Sequence, residues 1–369
     1  MRIALLTRRF DPAGGGTERD LMVTADCLRR GGYDVATYAD EIRGGPQPGV
    51  YRVGRAPLPR TLAFLRFAFA AAPMARRFGA HLVLSFARVA NADVLRSGGS
   101  AHLSYLRAAA RWRGRAGAAA MRVTPYHLAQ VIVERRGFTS PKLRGAIAVS
   151  ELVRGDLIAR FGLPAKRVMT IYNGVDLEKF HPVPGARARV RERFRIPDDT
   201  RMVLFVGNGF ARKGLGFLID ALVKVQGAHL LVVGSDRSAG SFERRAQRRG
   251  VGDRVVFAGS QPDATDFFNA ADALALPSLF EPFGNVAIEA MACGLPAMVS
   301  NQCGAAEVMP SGLRGYIVQD PADADEIARK LDAMLKEAQR LRPIARAAAL
   351  EFTWDKHAQQ LNKYLGSLR

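Results

Sequence analysis

The chain opens on a short apolar run, Ile3–Leu6, followed by a glycine turn at Gly14-Gly15-Gly16. A helical pattern then runs from Glu18 to Arg30 and stops at Gly31-Gly32. Val35–Tyr38, His81–Ser85 and Ala146–Ser150 are further short apolar runs, separated by stretches long enough for helices. Unbroken apolar runs of this length mark parallel strands covered on both faces. The same grammar restarts after Asn173-Gly174-Val175-Asp176, with Met202–Gly207, Leu230–Gly234, Arg254–Gly259, Ala273–Leu276 and Pro296–Ser300. The pattern predicts two successive Rossmann-like, doubly wound α/β halves joined within Thr170–Arg187. Three helical stretches, Asp323–Glu337, Leu341–Phe352 and Asp355–Leu368, close the chain.

Composition sharpens this picture. At 369 residues, 48% hydrophobic and 24% charged, the chain suits two globular domains and excludes wholesale disorder. Its 54 Lys and Arg against 34 Asp and Glu leave a net charge of +20, which draws polyanions. Part of that excess is concentrated between Tyr105 and Arg144, where nine basic residues meet one acid, Glu134. Tyr105, Trp112 and Tyr126 are too sparse there for a base-stacking platform, so nucleic acid is not an expected partner. An anionic membrane face or a phosphorylated acceptor fits, as does a plain solvated face. Cys27, Cys293 and Cys303 form no CxxC pair, which argues against a disulfide framework or structural zinc and for a reducing cytosol. The longest apolar stretch, Leu62–Ala75, is interrupted by Arg66 and Pro73 and falls short of the roughly 18 residues of a spanning helix. A cytoplasmic protein, at most peripheral on the inner membrane face, is expected.

Four stretches carry chemistry. Gly14 to Arg19 lies between strand and helix, where a phosphate is cradled by backbone N–H groups, although a tight turn alone explains the glycines. Arg19 occupies the third glycine position of the dinucleotide fingerprint, so the nicotinamide reading rests on Asp40 as a ribose carboxylate. Gly207-Asn208-Gly209-Phe210-Ala211-Arg212-Lys213-Gly214 breaks the same fingerprint at Arg212, and Leu215 where a P-loop has lysine excludes that motif too. What remains is a glycine turn presenting two adjacent cations, suited to a diphosphate or simply solvated. Glu281-Pro282-Phe283-Gly284-Asn285-Val286-Ala287-Ile288-Glu289 sets one carboxylate in a loop and a second one turn into a helix ending near Cys293. A diphosphate held by the N-terminal amides around Phe283, Gly284, Asn285 and Val286 lies near both. Asp323-Ala324-Asp325 mimics a metal-binding DxD but follows Pro321 and reads as a helix start. The six histidines show no metal spacing; His102, after Ser97-Gly98-Gly99-Ser100-Ala101, is on its residues alone equally a surface group or a site group.

Together these stretches resemble the family 4 glycosyltransferases of the GT-B fold, over essentially the whole chain. The most specific marks are Glu281 through Glu289, the retaining E-x7-E signature, with Met291-Ala292-Cys293-Gly294-Leu295-Pro296 behind it. Asn173-Gly174-Val175-Asp176 and Phe180-His181-Pro182 are similar to the family's passage into its donor domain. Gly15-Gly16-Thr17-Glu18-Arg19-Asp20 and Phe210-Ala211-Arg212-Lys213-Gly214 are most similar to the bacterial lipopolysaccharide-core enzymes that glucosylate inner-core heptose. The resemblance implies two Rossmann-like domains facing a central cleft: an acceptor domain of residues 1–172 and 353–369, with the last helix crossing back, and a donor domain of residues 173–352. It implies retaining transfer of a hexose from a nucleotide sugar, UDP-glucose first, with no metal and no cofactor. Arg212 and Lys213 would neutralise the diphosphate, with Gly207 beside them and Gly15 and Gly16 closing over it. Glu289 would bind the ribose, and Glu281 would hold the sugar ring and support charge at the anomeric carbon. Asp20 and His102 would face a lipopolysaccharide-core or other glycolipid acceptor. Gly99 stands where that enzyme has an acid, which points to His102 as the residue beside the reacting sugar; Ser260 stands where it has an arginine. Another lipid-linked or polysaccharide acceptor, an NAD-dependent dehydrogenase using Asp40 and a non-enzymatic polyanion binder are the rival readings.

Overall fold

The computed structural model describes residues 1–12, 14, 16–54 and 58–368, in two compact units. The first comprises residues 1–173 and 354–369, the second residues 174–353. Gly15, expected at the phosphate cradle, lies outside the described residues.

The first unit is built on seven strands: β1 (Arg2–Phe10), β2 (Asp34–Ile42), β3 (Val50–Arg52), β4 (Leu82–Ser85), β5 (Val94–Ser97), β6 (Gly145–Ala148) and β7 (Val168–Thr170). All pair in parallel, in the order β3-β2-β1-β4-β5-β6-β7. Ile3, Leu5, Leu82, Leu84, Val94 and Ile147 share one buried cluster with Leu361, Tyr364 and Leu365 of the terminal helix Trp354–Ser367. That helix is tied down by the Tyr364 hydroxyl, which donates to Arg167 O at 3.1 Å and Ala146 O at 3.3 Å. A Cβ at Gly145 would lie 1.9 Å from the same hydroxyl, so any side chain there must displace the tyrosine. Three features depart from the pattern in the sequence. β1 continues through polar Thr7, Arg8 and Arg9, because β2 pairs with it as far as Ile42. The edge strands β3 and β7 are three residues each, too short and too mixed in polarity to register as buried runs. Leu62–Ala75 belongs to one helix, Arg60–Arg77, which continues through Pro73 with Phe64, Phe67 and Ala68 buried. Among the described residues no helix is long and apolar enough to cross a membrane.

The second unit repeats the plan with β8 (Arg201–Val206), β9 (Ala228–Val233), β10 (Val255–Gly259), β11 (Ala273–Leu276) and β12 (Ala297–Val299), all parallel, ordered β10-β9-β8-β11-β12. In both sheets the strand order reverses beside the first strand, at β1/β4 and at β8/β11. Ligands of open α/β sheets bind outside the carboxyl ends of strands at such a reversal. The DxD-like stretch is a helix start: Asp323 accepts from the backbone N–H groups of Asp325 and Glu326.

Candidate active site

The reversal in the second unit is where Arg212, Lys213 and Glu281 meet. β8 ends at Val206, and the loop from Gly207 to Gly214 leads into the helix Leu215–Leu222. β11 ends at Leu276 and the loop from Pro277 leads into the helix Asn285–Ala292. The two loops interlock. Leu279 N–H donates to Arg212 O at 2.8 Å, and a Cβ at Gly214 would lie 2.0 Å from Pro277 O. Lys213 Nζ donates to Glu281 Oε2 at 2.6 Å. Arg212 Nη1 donates to the same oxygen at 3.0 Å and to Phe280 O at 2.7 Å. The aliphatic stem of Lys213 lies over Gly207, where a Cβ would stand 2.6 Å from Lys213 Cε. That glycine makes room for the lysine.

The charges of this node are well buried. Only 9% of the Lys213 side chain and 12% of that of Glu281 is exposed. Burial pushes the Glu281 carboxyl up, but the charges of Lys213 and Arg212 and their hydrogen bonds outweigh it, leaving its pKa below the ordinary carboxylate value. Two cations against one carboxylate leave one net positive charge at the site. Backbone bonds fix the carboxylate's loop: Glu281 N–H to Gln302 O, Gly304 N–H to Glu281 O and Ala305 N–H to Phe283 O. Gly284 takes φ +96° and caps the following helix without a side chain, and a Cβ there would meet Cys303 Sγ at 2.8 Å. First-turn N–H groups of a helix have no partner within it, so Asn285 and Val286 begin a natural anion-binding end. Glu289, in the same helix, is half-buried. The Gly207 loop is held by Asp236, which accepts from Phe210 N–H at 2.9 Å, and by Asn208 Oδ1, which accepts from Ser235 N–H at 2.9 Å.

The first unit places a different chemistry after β5. His102 begins the helix His102–Ala108 and is buried. Its ring Nε2 lies 2.9 Å from Nδ1 of His127, which belongs to the helix Pro125–Phe138. Burial first, then the charge of Arg88 and the neighbouring His127, lowers the His102 pKa to about 3. His127 is lowered too, by burial and by Arg60, Arg113 and Arg88. Asp20, expected at an acceptor, grips Arg96 with both oxygens at 2.8 Å. Arg96 in turn donates to Asn173 Oδ1 at 2.7 Å. Asp40 does not stand free for a ribose: Arg8 and Arg66 reach its two oxygens at 3.0 and 3.1 Å. Gly16 opens the helix Gly16–Arg30. Among the described residues no three His, Cys, Asp or Glu side chains gather as a metal-holding set.

Residues 14–179 match the family described as Glycosyltransferase Family 4, and residues 186–350 match Glycosyl transferases group 1. Each match covers just under half of the chain, and together they run through both of its halves. The D-inositol 3-phosphate glycosyltransferase of Mycolicibacterium smegmatis is 32% identical over 218 residues, covering 56% of this chain and 49% of that protein. The chain thus spans about half the length of the curated relatives it matches. Its fold follows WaaG, a glycosyltransferase involved in lipopolysaccharide biosynthesis, with a TM-score of 0.80 at 20% identity over 97% of this chain and 98% of that one. Anabaena HepE, solved in complex with UDP and glucose, gives a TM-score of 0.75 at 20% identity with full coverage of both chains. The chain therefore has the GT-B fold.

The structure thus joins Arg212, Lys213 and Glu281 in the second unit, and sets Asp20 and His102 in the first unit on different partners. Sequence reasoning passed over His127, Arg96 and Asp236. His127 was within reach: Thr124-Pro125 is a helix-start signal, and Thr124 Oγ1 does accept from His127 N–H. From that start His127, Gln130 and Glu134 fall on one face.

Proposed function

We propose that this chain is a family 4 glycosyltransferase that moves a hexose, glucose from UDP-glucose in the first instance, onto an acceptor hydroxyl with retention at the anomeric carbon. The observation that carries this reading is the buried node of Arg212, Lys213 and Glu281 at the sheet reversal of the second unit, next to the amide end of the helix Asn285–Ala292. The positive charge left over there suits a departing diphosphate, the species on which charge develops as the sugar leaves. Arg212 and Lys213 neutralise it, and the first-turn amides hold its oxygens, so the chain itself supplies the charge that a metal would otherwise bring. Glu289 binds the ribose hydroxyls, and Glu281 orients the sugar and supports positive charge at the anomeric carbon. In a front-face step the acceptor oxygen bonds the anomeric carbon as the carbon–phosphate oxygen bond breaks, and the acceptor proton passes to the departing phosphate. No side chain acts as a nucleophile.

The first unit would receive the acceptor near His102. A lipopolysaccharide-core or related glycolipid acceptor is supported by the surface of residues 105–144. Val123, Leu128 and Ile132 are 73%, 48% and 59% exposed amid the basic residues of that stretch. A mixed apolar and cationic surface suits the anionic cytoplasmic face of a membrane, at about 1 kcal/mol per basic residue. The inositol-phosphate relative favours a second class, a soluble phosphorylated polyol. The test is a melting screen of the full chain against UDP-, GDP- and ADP-sugars, followed by labelled transfer to core oligosaccharide and to polyol phosphate. UDP-glucose should raise Tm the most, by the equivalent of about 2.7 kcal/mol at a hundredfold excess over Kd. A larger shift with another nucleotide reassigns the donor, and no shift and no transfer with any sugar nucleotide rejects the reading.

A further inference from the structure

One helix face holds His102 at two points. The His102 backbone N–H donates to Glu134 Oε2 at 2.6 Å, and its ring Nε2 lies 2.9 Å from His127 Nδ1. His127, Gln130 and Glu134 are three and four residues apart on the helix Pro125–Phe138 and form one stripe. Arg88 ties that stripe together, its Nε donating to Glu134 Oε1 at 2.8 Å and its Nη1 to Gln130 Oε1 at 3.2 Å. The same turn is held from the helix Glu151–Phe161, where Asp156 accepts from Ala101 N–H at 2.7 Å and from the Ser104 hydroxyl at 2.6 Å. The backbone under His102 is therefore already fixed by Glu134 and Asp156. His127 adds nothing to the backbone; it acts on the ring.

A neutral imidazole has one donor and one acceptor nitrogen. Where two neutral rings meet nitrogen to nitrogen, one must donate and the other accept, so the tautomer of His127 sets that of His102. It thereby decides whether His102 Nδ1 carries a proton or a lone pair. Arg88, Arg60 and Arg113 press on the pair, Glu134 is taken up by Arg88 and the His102 backbone, and the rings of Tyr105 and Tyr126 flank it. These surroundings keep both rings uncharged across the ordinary assay range. We propose that His127 is a positioning residue for the transfer reaction, fixing the ring orientation and the tautomer of His102. The inference rests on the reading of His102 as the residue beside the reacting sugar.

The test compares His127→Leu, His127→Asn, His127→Gln and His102→Leu in the full chain, with UDP-glucose and a defined acceptor. Asparagine sets an amide atom where Nδ1 stands, whereas glutamine sets it where Nε2 stands. His127→Leu should lower kcat about tenfold, the worth of one hydrogen bond, while KM for UDP-glucose and the melting shift with UDP stay put. His127→Asn should recover most of the rate and His127→Gln should not. In 15N-histidine spectra the His102 signals should move in the leucine and glutamine variants and hold in the asparagine variant. Should the leucine variant fail to fold, the contrast between asparagine and glutamine carries the same decision. Wild-type kcat in His127→Leu, or a loss that asparagine leaves unrepaired and donor KM shares, overturns the inference. Normal turnover in His102→Leu overturns the reading of His102 beneath it, whereas an inactive His102→Leu beside an unaffected His127→Leu overturns only the role of His127.

Discussion

The two units place polar groups at the same position, the carboxyl edge of a parallel sheet, in opposite electrical states. In the second unit a carboxylate with 12% of its side chain exposed stays ionised, because Lys213 and Arg212 reach one of its oxygens within 3.0 Å. In the first, two histidines meet nitrogen to nitrogen, with burial and the charges of Arg88, Arg60 and Arg113 holding them uncharged. Burying a charge is tolerable only with a partner, and burying an imidazole only if it gives up its second proton. The difference suits the two jobs proposed: charge to meet a diphosphate, neutrality to meet a hydroxyl.

The most forceful way to break the comparison is Glu281→Gln. Turnover should fall by about a hundredfold or more, the cost of losing one preorganised electrostatic contact. Stability without nucleotide should fall as well, by about 3 kcal/mol, since Lys213 and Arg212 are left without their counter-charge. On the proposed reading, UDP carries its own negative charge into that node. The melting shift it produces should therefore be larger in the variant than in the wild type. An equal or smaller shift would mean that the nucleotide does not touch these cations.

Next come two glycines, one in each unit, that keep their own unit intact by different means. Gly214 has φ +80° and faces Pro277 O, so Gly214→Ala adds both left-handed strain and a clash with backbone that cannot swing aside. A loss of about 3 kcal/mol in the second unit is expected, together with loss of UDP binding. Gly145→Ala instead meets the Tyr364 hydroxyl, the end of a side chain that can shift. About 2 kcal/mol should go from the first unit, with the helix Trp354–Ser367 exchanging its amides faster and UDP binding unchanged. Nucleotide binding that suffers equally in both variants would erase the distinction.

Why the second unit was legible and the first was not follows from the same contrast. Arg212, Lys213, Glu281 and Gly284 lie in two short contiguous loops, each bounded by an apolar strand and a helix, so motif spacing brings them close. The strands themselves were visible as buried runs, and Ala273–Leu276 has the limits the pattern indicated. In the first unit Asp20 meets Arg96 across 76 residues and His102 meets His127 across two helices, pairings that only the packing of those elements creates. Asp40 shows the hazard plainly. A carboxylate at the end of the second strand looks like a ribose ligand until Arg8 and Arg66 are found on it.

The gentlest test uses pH. In the first unit His102 is lowered to about 3 and His357 to about 4, each chiefly by burial, and His127 is lowered as well. His357 Nδ1 donates to Tyr172 O at 2.8 Å, which leaves Nε2 buried with no partner among the described residues. For a histidine depressed in this way the unfolded chain binds more protons. Its stability is complete above about pH 6.5 and drains away as pH falls toward the folded value. In the second unit the depressed groups are mainly carboxylates: Glu281, Asp236 and Glu326, the last brought to about 2 against burial by the N–H groups of Asp320 and Gln319 and by Lys330. Their contribution is complete above about pH 4.5 and is lost only below it, and His229 is the histidine there that shares the earlier loss. Hydrogen exchange at pH 5 should therefore show the first unit opening before the second. His357→Asn, which keeps a donor for Tyr172 O, should recover about 2 kcal/mol of the difference between pH 6.5 and 5. Simultaneous opening of both units, or an asparagine variant as acid-sensitive as the wild type, would show that the buried histidines of the first unit do not set its acid limit.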